Sequence, residues 1–337
     1  MKIAMLLLVA FSVLLTPIEA ICASHYEVQQ RHVLGGEGRW DALTFDPAHH
    51  RLFISRETHV MVVDPTTGKQ LADIPDTPGV HAIALAPDLG KGFITAGRAN
   101  KVIEFDDHSL KVLSTIDVGA KPDLIVYEPA SHRVFSFNGG SNDATAIDAK
   151  TGKVIGTVPL GGKPEFPALD GKGHIFVNVE NTGEIAEIDA AKLNVLQRWA
   201  MKGCEEPSGL AFDAAHSVLF SGCSNKTLFV VDSQTGKTIT QLPIGERVDG
   251  VAYDPGRQLA FSSNGDGTLT VIGRKGNNYE VVQNVTTQRG ARTLALDDSS
   301  HTVYLVTADF EPPQPDKPDA RPVPKAGSFT LLMVSQK

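Results

Sequence analysis

Cysteine is scarce in this sequence, and the common motifs built from cysteine are missing. The chain of 337 residues contains Cys22, Cys204 and Cys223. They form neither a paired-cysteine metal motif nor a haem-attachment motif. The sequence also lacks a serine nucleophile elbow. These absences argue against the most recognisable zinc, haem and hydrolase classes.

Long hydrophobic runs are rare as well. The longest covers residues 3–15, follows Lys2, and precedes Pro17 and the small residues Ala20 and Ala23. This pattern is typical of an export signal, because the run is too short to span a bilayer comfortably. We expect residues 1–23 to be a signal peptide cleaved after Ala20 or Ala23. The mature protein, residues 24–337, is expected to be periplasmic or secreted, with no membrane span.

An excess of positive charge is also lacking. The formal net charge is −8, which argues against a general nucleic-acid binder. Single-stranded nucleic acid could contact Arg39, Lys121, Lys163 and Arg247, but aromatic stacking platforms are few, Trp40 apart. Nucleic acid is therefore the weakest hypothesis for a partner.

What the sequence has is an internal repeat. A phrase such as "KPDLIVYEPASHRVFSF" recurs along the chain, and the last aromatic or leucine residue of its opening recurs every 40 to 43 residues. These seven anchors are Phe45, Leu85, Tyr127, Leu169, Phe212, Tyr253 and Leu296. Each copy has four short stretches of alternating apolar residues bounded by turn residues, which is typical of strands. About 42 residues and four strands per copy predict a seven-bladed β-propeller.

The seventh copy is incomplete, because only three strands follow Leu296 before the chain ends. Residues 26–34 precede the first full copy and alternate in the same way. We expect this N-terminal segment to be the outer strand of the last blade, which closes the ring and covers a sheet edge. The chain is then a single all-β domain, for which we expect a monomer.

Two recurrent motifs have structural explanations. The "TGK" segments at residues 67–69, 151–153 and 235–237 lack the second glycine of a phosphate-binding loop, so we interpret them as hairpin turns with Asp64, Asp148 and Asp232 as hydrogen-bond acceptors. Six histidines follow the anchors by four or five residues: His49, His50, His132, His174, His216 and His301. Because each copy contributes its own turn, they should be spread around a rim and not share a metal.

A third recurrent position points to a site. Four residues before each anchor the side chain is always polar: Asp41, His81, Asp123, Glu165, Ser208, Asp249 and Arg292. These residues begin the innermost strands, so they should converge at one mouth of the central tunnel. We therefore predict a ligand site there. Two residues earlier lies a partly basic outer ring of Arg39, Lys121, Lys163, Glu206 and Arg247.

Crowded carboxylates at this mouth would need a counter-charge. Asp41, Asp123, Glu165 and Asp249 are the candidate ligands for a divalent cation such as calcium or magnesium, and a cationic or polyhydroxylated molecule is the alternative. A proline-rich insertion at residues 308–327 should lie on the same face, either as a lid or partner strap or as a solvated loop.

The remaining cysteines are expected to pair. Cys204 precedes the first strand of the fifth copy and Cys223 follows the second, so a hairpin brings both to one end. Export would place them where disulfides persist.

The second strands "LFIS", "VFSF", "IFVN", "LFSG" and "VYLV", with the recurrent "TGK" hairpins, resemble the YVTN-repeat propellers. This resemblance covers about residues 26–337 and implies the propeller fold, whereas fold similarity alone implies no activity. Gluconolactonase-like propellers are similar in placing carboxylate ligands at the starts of inner strands. The chain has "RWDALTF" where that family opens with Glu-Gly-Pro.

Two classes of function follow. The first is an exported binding or scaffold propeller that uses the mouth for a small ligand, a metal or a protein partner. The second is a metal-assisted, lactonase-like hydrolase with its site at the same mouth. The absence of a recognisable catalytic set favours the binding protein.

Overall fold

The computed structural model describes residues 25–312 and 321–337, and the expected signal peptide lies outside these ranges. The described chain forms seven separate antiparallel sheets of four strands each. This confirms the all-β, seven-bladed propeller predicted from the repeat. The regular structure also includes two short 3-10 helices, Pro87–Leu89 and Glu180–Thr182. Among the described residues, no helix has the length and apolar character needed to cross a membrane.

The first three blades use consecutive strands, numbered from the innermost strand outwards. Blade 1 contains β2 (Leu43–Asp46), β3 (Arg51–Arg56), β4 (His59–Val63) and β5 (Gln70–Ile74). Blade 2 contains β6 (Val80–Ala86), β7 (Lys91–Ala96), β8 (Lys101–Asp106) and β9 (Val112–Asp117). Blade 3 contains β10 (Pro122–Glu128), β11 (Arg133–Asn138), β12 (Asp143–Asp148) and β13 (Lys153–Pro159).

The next three blades repeat this order. Blade 4 contains β14 (Pro164–Leu169), β15 (His174–Val179), β16 (Glu184–Asp189) and β17 (Asn194–Ala200). Blade 5 contains β18 (Pro207–Asp213), β19 (Val218–Cys223), β20 (Thr227–Asp232) and β21 (Thr238–Pro243). Blade 6 contains β22 (Val248–Asp254), β23 (Leu259–Asn264), β24 (Thr268–Lys275) and β25 (Asn278–Thr286).

Blade 7 joins the two ends of the chain. It contains β26 (Leu294–Asp297), β27 (Thr302–Thr307), β28 (Thr330–Gln336) and, outermost, β1 (Tyr26–Val33). The register of β1 on β28 runs from Tyr26 opposite Gln336 to Val33 opposite Thr330. The predicted closure by the N-terminal segment is therefore confirmed. Tyr26 is 1% exposed and packs edge to face on Phe261 of blade 6.

The core lies between the blades and is built mainly from their middle strands. All six residues of β3 are buried, whereas β9 has one buried residue, Ile116. The third residue of each second strand is aromatic and buried: Phe53, Phe93, Phe135, Phe176, Phe220, Phe261 and Tyr304. Large rings repeated at one position fill the widening gaps between twisted blades.

Every inner strand begins at the same end of the tunnel, which we call the mouth. The loops between second and third strands also lie at the mouth, and the other hairpins lie at the opposite end. The "TGK" turns are hairpins at that opposite end, as predicted. In these turns a threonine backbone amide donates a 2.8 Å hydrogen bond to an aspartate side chain. The pairs are Thr66 with Asp64, Thr151 with Asp148, and Thr235 with Asp232.

The repeated histidines do not form a common site. His50 lies near Thr66, and the Nδ1 atoms of the other five lie 2.7 to 3.2 Å from aspartate oxygens in the pairs His49–Asp46, His132–Asp88, His174–Asp170, His216–Asp213 and His301–Asp254. One pair adjoins a second carboxylate, Asp107, but the guanidinium of Arg51 binds both carboxylates at 2.7 and 2.9 Å. These histidines hold turns in place.

Blade 5 carries the pairing expected for the two later cysteines. The structure joins Cys204 and Cys223 in a disulfide with a Cα–Cα distance of 5.5 Å. Both residues are buried beneath the mouth end of the blade, and the bond ties the loop before β18 to the end of β19.

Candidate functional site

The recurrent polar residues meet at the mouth. Five lie within inner strands: His81, Asp123, Glu165, Ser208 and Asp249. Asp41 and Arg292 instead lie two residues before β2 and β26, because those two strands are shorter than the other inner strands. All seven side chains nevertheless lie at the same end of the tunnel.

Buried polar residues in the second strands fix the backbone of this ring. Thr95 donates a 2.7 Å hydrogen bond from Oγ1 to the carbonyl of Asp123 in the next blade. Asn178 does the same to Ser208 over 2.8 Å, and Ser263 donates to the carbonyl of Arg292. Because all three donors are completely buried, these bonds join neighbouring blades directly below the mouth.

Close approach of the inner strands requires small residues. A Cβ atom on Gly209 would lie 2.6 Å from the amide nitrogen of Val251 in the neighbouring inner strand. This contact is shorter than van der Waals distance, so a side chain there would push β18 and β22 apart. The glycine therefore keeps the polar residues of blades 5 and 6 close together.

His81 is shared by two carboxylates from different blades. Its Nδ1 atom lies 2.7 Å from Oδ2 of Asp41 and 3.3 Å from Oδ1 of Asp123. Burial alone lowers the pKa of His81, but the hydrogen bond to Asp41 and the charges of Asp123 and Glu165 outweigh it and raise that pKa to about 9. The ring is thus an imidazolium at neutral pH.

The next carboxylate, Glu165, pairs with Lys163. The Lys163 Nζ atom lies 2.7 Å from Oε1 of Glu165 and also contacts the carboxylate of Glu180. Burial and the negative charge of Asp123 raise the pKa of Glu165 to about 8, while Lys163 opposes this rise. Lys163 was placed in an outer ring on sequence grounds; in the structure its side chain turns inward to the carboxylates.

Asp249 and Arg292 form the third pair. Nε of Arg292 lies 3.2 Å from Oδ2 of Asp249, and Ser208 donates from Oγ to Oδ1 of Asp249 over 2.9 Å. Burial raises the pKa of Asp249, and Arg292 acts against the rise. Burial likewise raises the pKa of Asp123, to about 6, although His81 lowers it in part.

Three cations therefore face the four mouth carboxylates. His81 serves Asp41 and Asp123, Lys163 serves Glu165, and Arg292 serves Asp249. The four proposed metal ligands surround one opening, but only Asp41 and Asp123 come together with a further donor. With His81 they offer ligand atoms within 4.8 Å of one another.

A cavity of about 880 Å³ lies at the mouth, and three members of the ring line it: Asp41, His81 and Arg292. One wall is apolar and contains Trp40, Phe310, Pro322 and Pro324. Trp40 is held from behind by Phe329, whose ring centroid is 5.2 Å away. The buried guanidinium of Arg56 stacks on the Phe329 ring, with its Cζ atom 3.7 Å from the ring centroid.

The proline-rich insertion contributes to this wall. Its two described arms pair through a bond from the amide of Glu311 to the carbonyl of Val323 and another from Lys325 to Asp309, each 2.8 Å. Residues 313–320 lie outside the described part of the chain. The arms place Phe310 and Arg321 beside the cavity, so this loop belongs to the mouth face as expected.

The rest of the cavity wall is basic. It includes the outer-ring residues Arg39, Lys121 and Arg247, together with Arg98, Arg289 and Arg321. Arg98 pairs with Glu57 at 2.6 Å. Arg98, Arg289, Arg321 and Phe310 were not singled out in the sequence, because they lie in loops outside the repeated phrase. Trp40 could have been found, since it directly precedes Asp41.

Comparison with known proteins supports the fold and nothing finer. No protein-family model matches the sequence, so membership of the YVTN-repeat propellers stays a prediction. No curated protein matches it either. Among solved structures, the chain is similar to hydrazine synthase from Kuenenia stuttgartiensis, with 17% identity and a TM-score of 0.69 over 85% of this chain and 95% of that chain. At this identity the similarity shows a shared propeller architecture.

Proposed function

We propose that the protein is an exported binding propeller whose ligand lies in the cavity at the mouth. The observation that carries this proposal is one cavity of about 880 Å³ lined by three residues of the charged ring, by an apolar wall and by a set of exposed cations. A concave site that combines apolar wall with a few converging polar groups is the usual form of a small-molecule site. The Cys204–Cys223 disulfide supports export, because such bonds persist in oxidising compartments.

The side chains of the ring are held by ion pairs and hydrogen bonds and do not form a recognisable catalytic set. The carboxylates are paired with neighbouring side chains, and the described residues offer no serine, cysteine or threonine nucleophile paired with a histidine base at the mouth. A binding role therefore fits the geometry better than catalysis.

A thermal-shift screen against a library of small metabolites tests the proposal. A ligand that binds the native state alone must raise the melting temperature. Phe310→Ala removes part of the cavity wall and should abolish the shift, while Leu71→Ala, which removes an exposed side chain on outer strand β5, should not. A hit that shifts Phe310→Ala as much as wild type, or a screen without hits, would count against a small-molecule site at the mouth.

A metal-assisted hydrolase is the second candidate, and one observation favours it. Asp41, His81 and Asp123 bring three donor atoms within 4.8 Å, a set that suits a divalent cation once His81 has lost its proton. A bound cation would act as a Lewis acid on a lactone carbonyl. Elemental analysis and a lactone-hydrolysis assay, with Asp123→Asn as the control, test this candidate; stoichiometric calcium or magnesium with activity lost in the variant would favour it over simple binding.

A further inference from the structure

Four cations in the cavity wall lie apart from the carboxylates of the described residues. Arg39, Lys121, Arg247 and Arg289 line the cavity and are exposed to solvent. Within residues 25–312 and 321–337, none of these four side chains lies within 4.0 Å of a carboxylate oxygen. By contrast, the four carboxylates of the ring below lie close to cations, with His81 between Asp41 and Asp123, Lys163 beside Glu165, and Arg292 beside Asp249. The cavity therefore presents a surplus of positive charge to whatever enters it.

We infer that the ligand is a small organic anion, with carboxylate or phosphate groups on a planar or apolar body. This inference rests on the proposed function and names the class of ligand for the same cavity. Exposed arginine and lysine side chains bind such anions with charge-assisted hydrogen bonds. The apolar wall of Trp40 and Phe310 would pack against the body of the molecule.

Two of these cations have a left-handed backbone conformation, which is unfavourable for a residue with a long side chain. Lys121 has a φ of 52° and Arg247 a φ of 56°. The equivalent residues of blades 2 and 7, two positions before His81 and Arg292, are Gly79 and Gly290, with φ of 68° and 87°. Glycine takes this left-handed conformation without penalty, whereas a long side chain does not. Glu206 of blade 5 adopts the same conformation with a φ of 45°, so the turn imposes it on residues of different types, and Lys121 and Arg247 are the long side chains in this conformation that line the cavity.

This result changes the expectation drawn from the sequence. The row of aspartate and glutamate residues favours a cationic or polyhydroxylated ligand when each residue is considered alone. In the structure, the salt bridges formed by Lys163 and Arg292 leave little net negative charge to attract a cation. A cation entering the cavity would first meet Lys121, Arg247 and Arg289.

Trp40 provides a probe for the test. The chain has two tryptophans, and the second, Trp199, lies on outer strand β17 of blade 4. In a Trp199→Phe background, fluorescence therefore reports on Trp40 alone. We propose titrating this protein with benzene-1,3,5-tricarboxylate and with pyrophosphate, which represent the carboxylate and phosphate sources. The uncharged benzene-1,3,5-tricarboxamide and the cation spermidine serve as comparison ligands.

The expected result is a saturable fluorescence change with one of the anions and none with spermidine. Lys121→Gly and Arg247→Gly should each raise the dissociation constant by roughly tenfold, because each removes a charged contact. Both variants relieve an unfavourable φ, so weaker binding cannot be attributed to unfolding. Lys226→Gly is the matched control, since Lys226 has a φ of 63° but pairs with Glu246 at 2.6 Å and does not line the cavity.

Three results would overturn the inference. The first is saturable binding of the tricarboxamide or spermidine without binding of either anion. This result would support a binding site at the mouth but exclude an anionic ligand. The second is equal weakening by Lys226→Gly, which would show general surface attraction. The third is no response of Trp40 to any probe. In that case the anion class fails, while the metabolite screen with Phe310→Ala decides separately on the proposed function.

Discussion

The Nδ1 atom of His81, on blade 2, lies 2.7 Å from Oδ2 of Asp41, which precedes the first strand of blade 1. This contact joins two blades at the mouth, and a second one to Asp123 joins a third blade at 3.3 Å. The imidazolium consequently connects blades 1, 2 and 3 at the mouth. Its protonation should affect both the stability of the ring and the charge of the cavity.

The first prediction concerns pH. The pKa of His81 is raised to about 9 in the folded protein, against an ordinary value of 6.5. A raised pKa adds stability that is fully present below 6.5 and is lost as pH rises through 9. Glu165 has a pKa raised from 4.5 to about 8, so its contribution to stability is also lost as the pH rises through that range. We therefore expect the melting temperature to fall between pH 6.5 and 9.

His81→Gln is the informative variant for this prediction, since it keeps a hydrogen-bond donor and removes the titration. It should be less stable than wild type at pH 6.5 and approach wild type at pH 9.5. Parallel melting temperatures for both proteins over this range would show that His81 titrates at its ordinary pKa.

The second prediction concerns closure of the ring by β1. Tyr26→Ala should lower the free energy of unfolding by about 3 kcal/mol or more, because a buried aromatic ring is lost between blades 7 and 6. Tyr26→Phe should be neutral or stabilising, since the buried hydroxyl has no hydrogen-bond partner among the described residues. Urea denaturation measures both. A Tyr26→Phe variant as unstable as Tyr26→Ala would mean that the hydroxyl makes an essential contact.

The third prediction concerns the disulfide. The denatured, unreduced mature protein should show no free thiol from Cys204 or Cys223. The double variant Cys204→Ser with Cys223→Ser should lose about 2–4 kcal/mol of stability, as expected for a bridge that closes a loop of this size. Titration of both thiols in the unreduced protein would contradict the bridge.

The fourth prediction concerns the bonds that hold the ring together. Thr95→Val keeps the shape of a completely buried side chain but removes the bond that it donates to the carbonyl of Asp123 and the bond that it accepts from the amide of Ala82. Leaving that carbonyl without its partner should cost about 1–3 kcal/mol and should also weaken binding at the mouth. Thr115→Val, on the exposed strand β9, is the matched control and should do neither. Equal effects of both changes would place the cost in β-strand propensity and not in the hydrogen bond.

Much of the architecture could be predicted from the sequence, because it depends on short-range periodicity. The spacing of anchors such as Phe45 and Leu85 sets the number of blades, and the alternation in residues 26–34 predicts the closing strand. The same register places Asp123 and Asp249 at one end of the tunnel. Each of these conclusions follows from strand geometry alone.

The charge balance of the site could not be predicted in the same way. Whether Lys163 points outwards or towards Glu165 depends on its rotamer and on Glu180, which lies in a short 3-10 helix outside the repeated phrase. The position of Phe310 depends on the path of a long insertion. Contacts of this kind depend on rotamers and on connecting segments that differ from blade to blade, so no periodic pattern along the chain encodes them.

A crystal structure of residues 24–337 with whichever anion binds most tightly in the Trp40 titration would show directly where the anion lies. We expect density for the anion in the mouth cavity, with its charged groups on Lys121 or Arg247 and its body against Trp40. Density for the anion only on the opposite face, where Lys69, Lys153 and Lys237 are exposed, would contradict it.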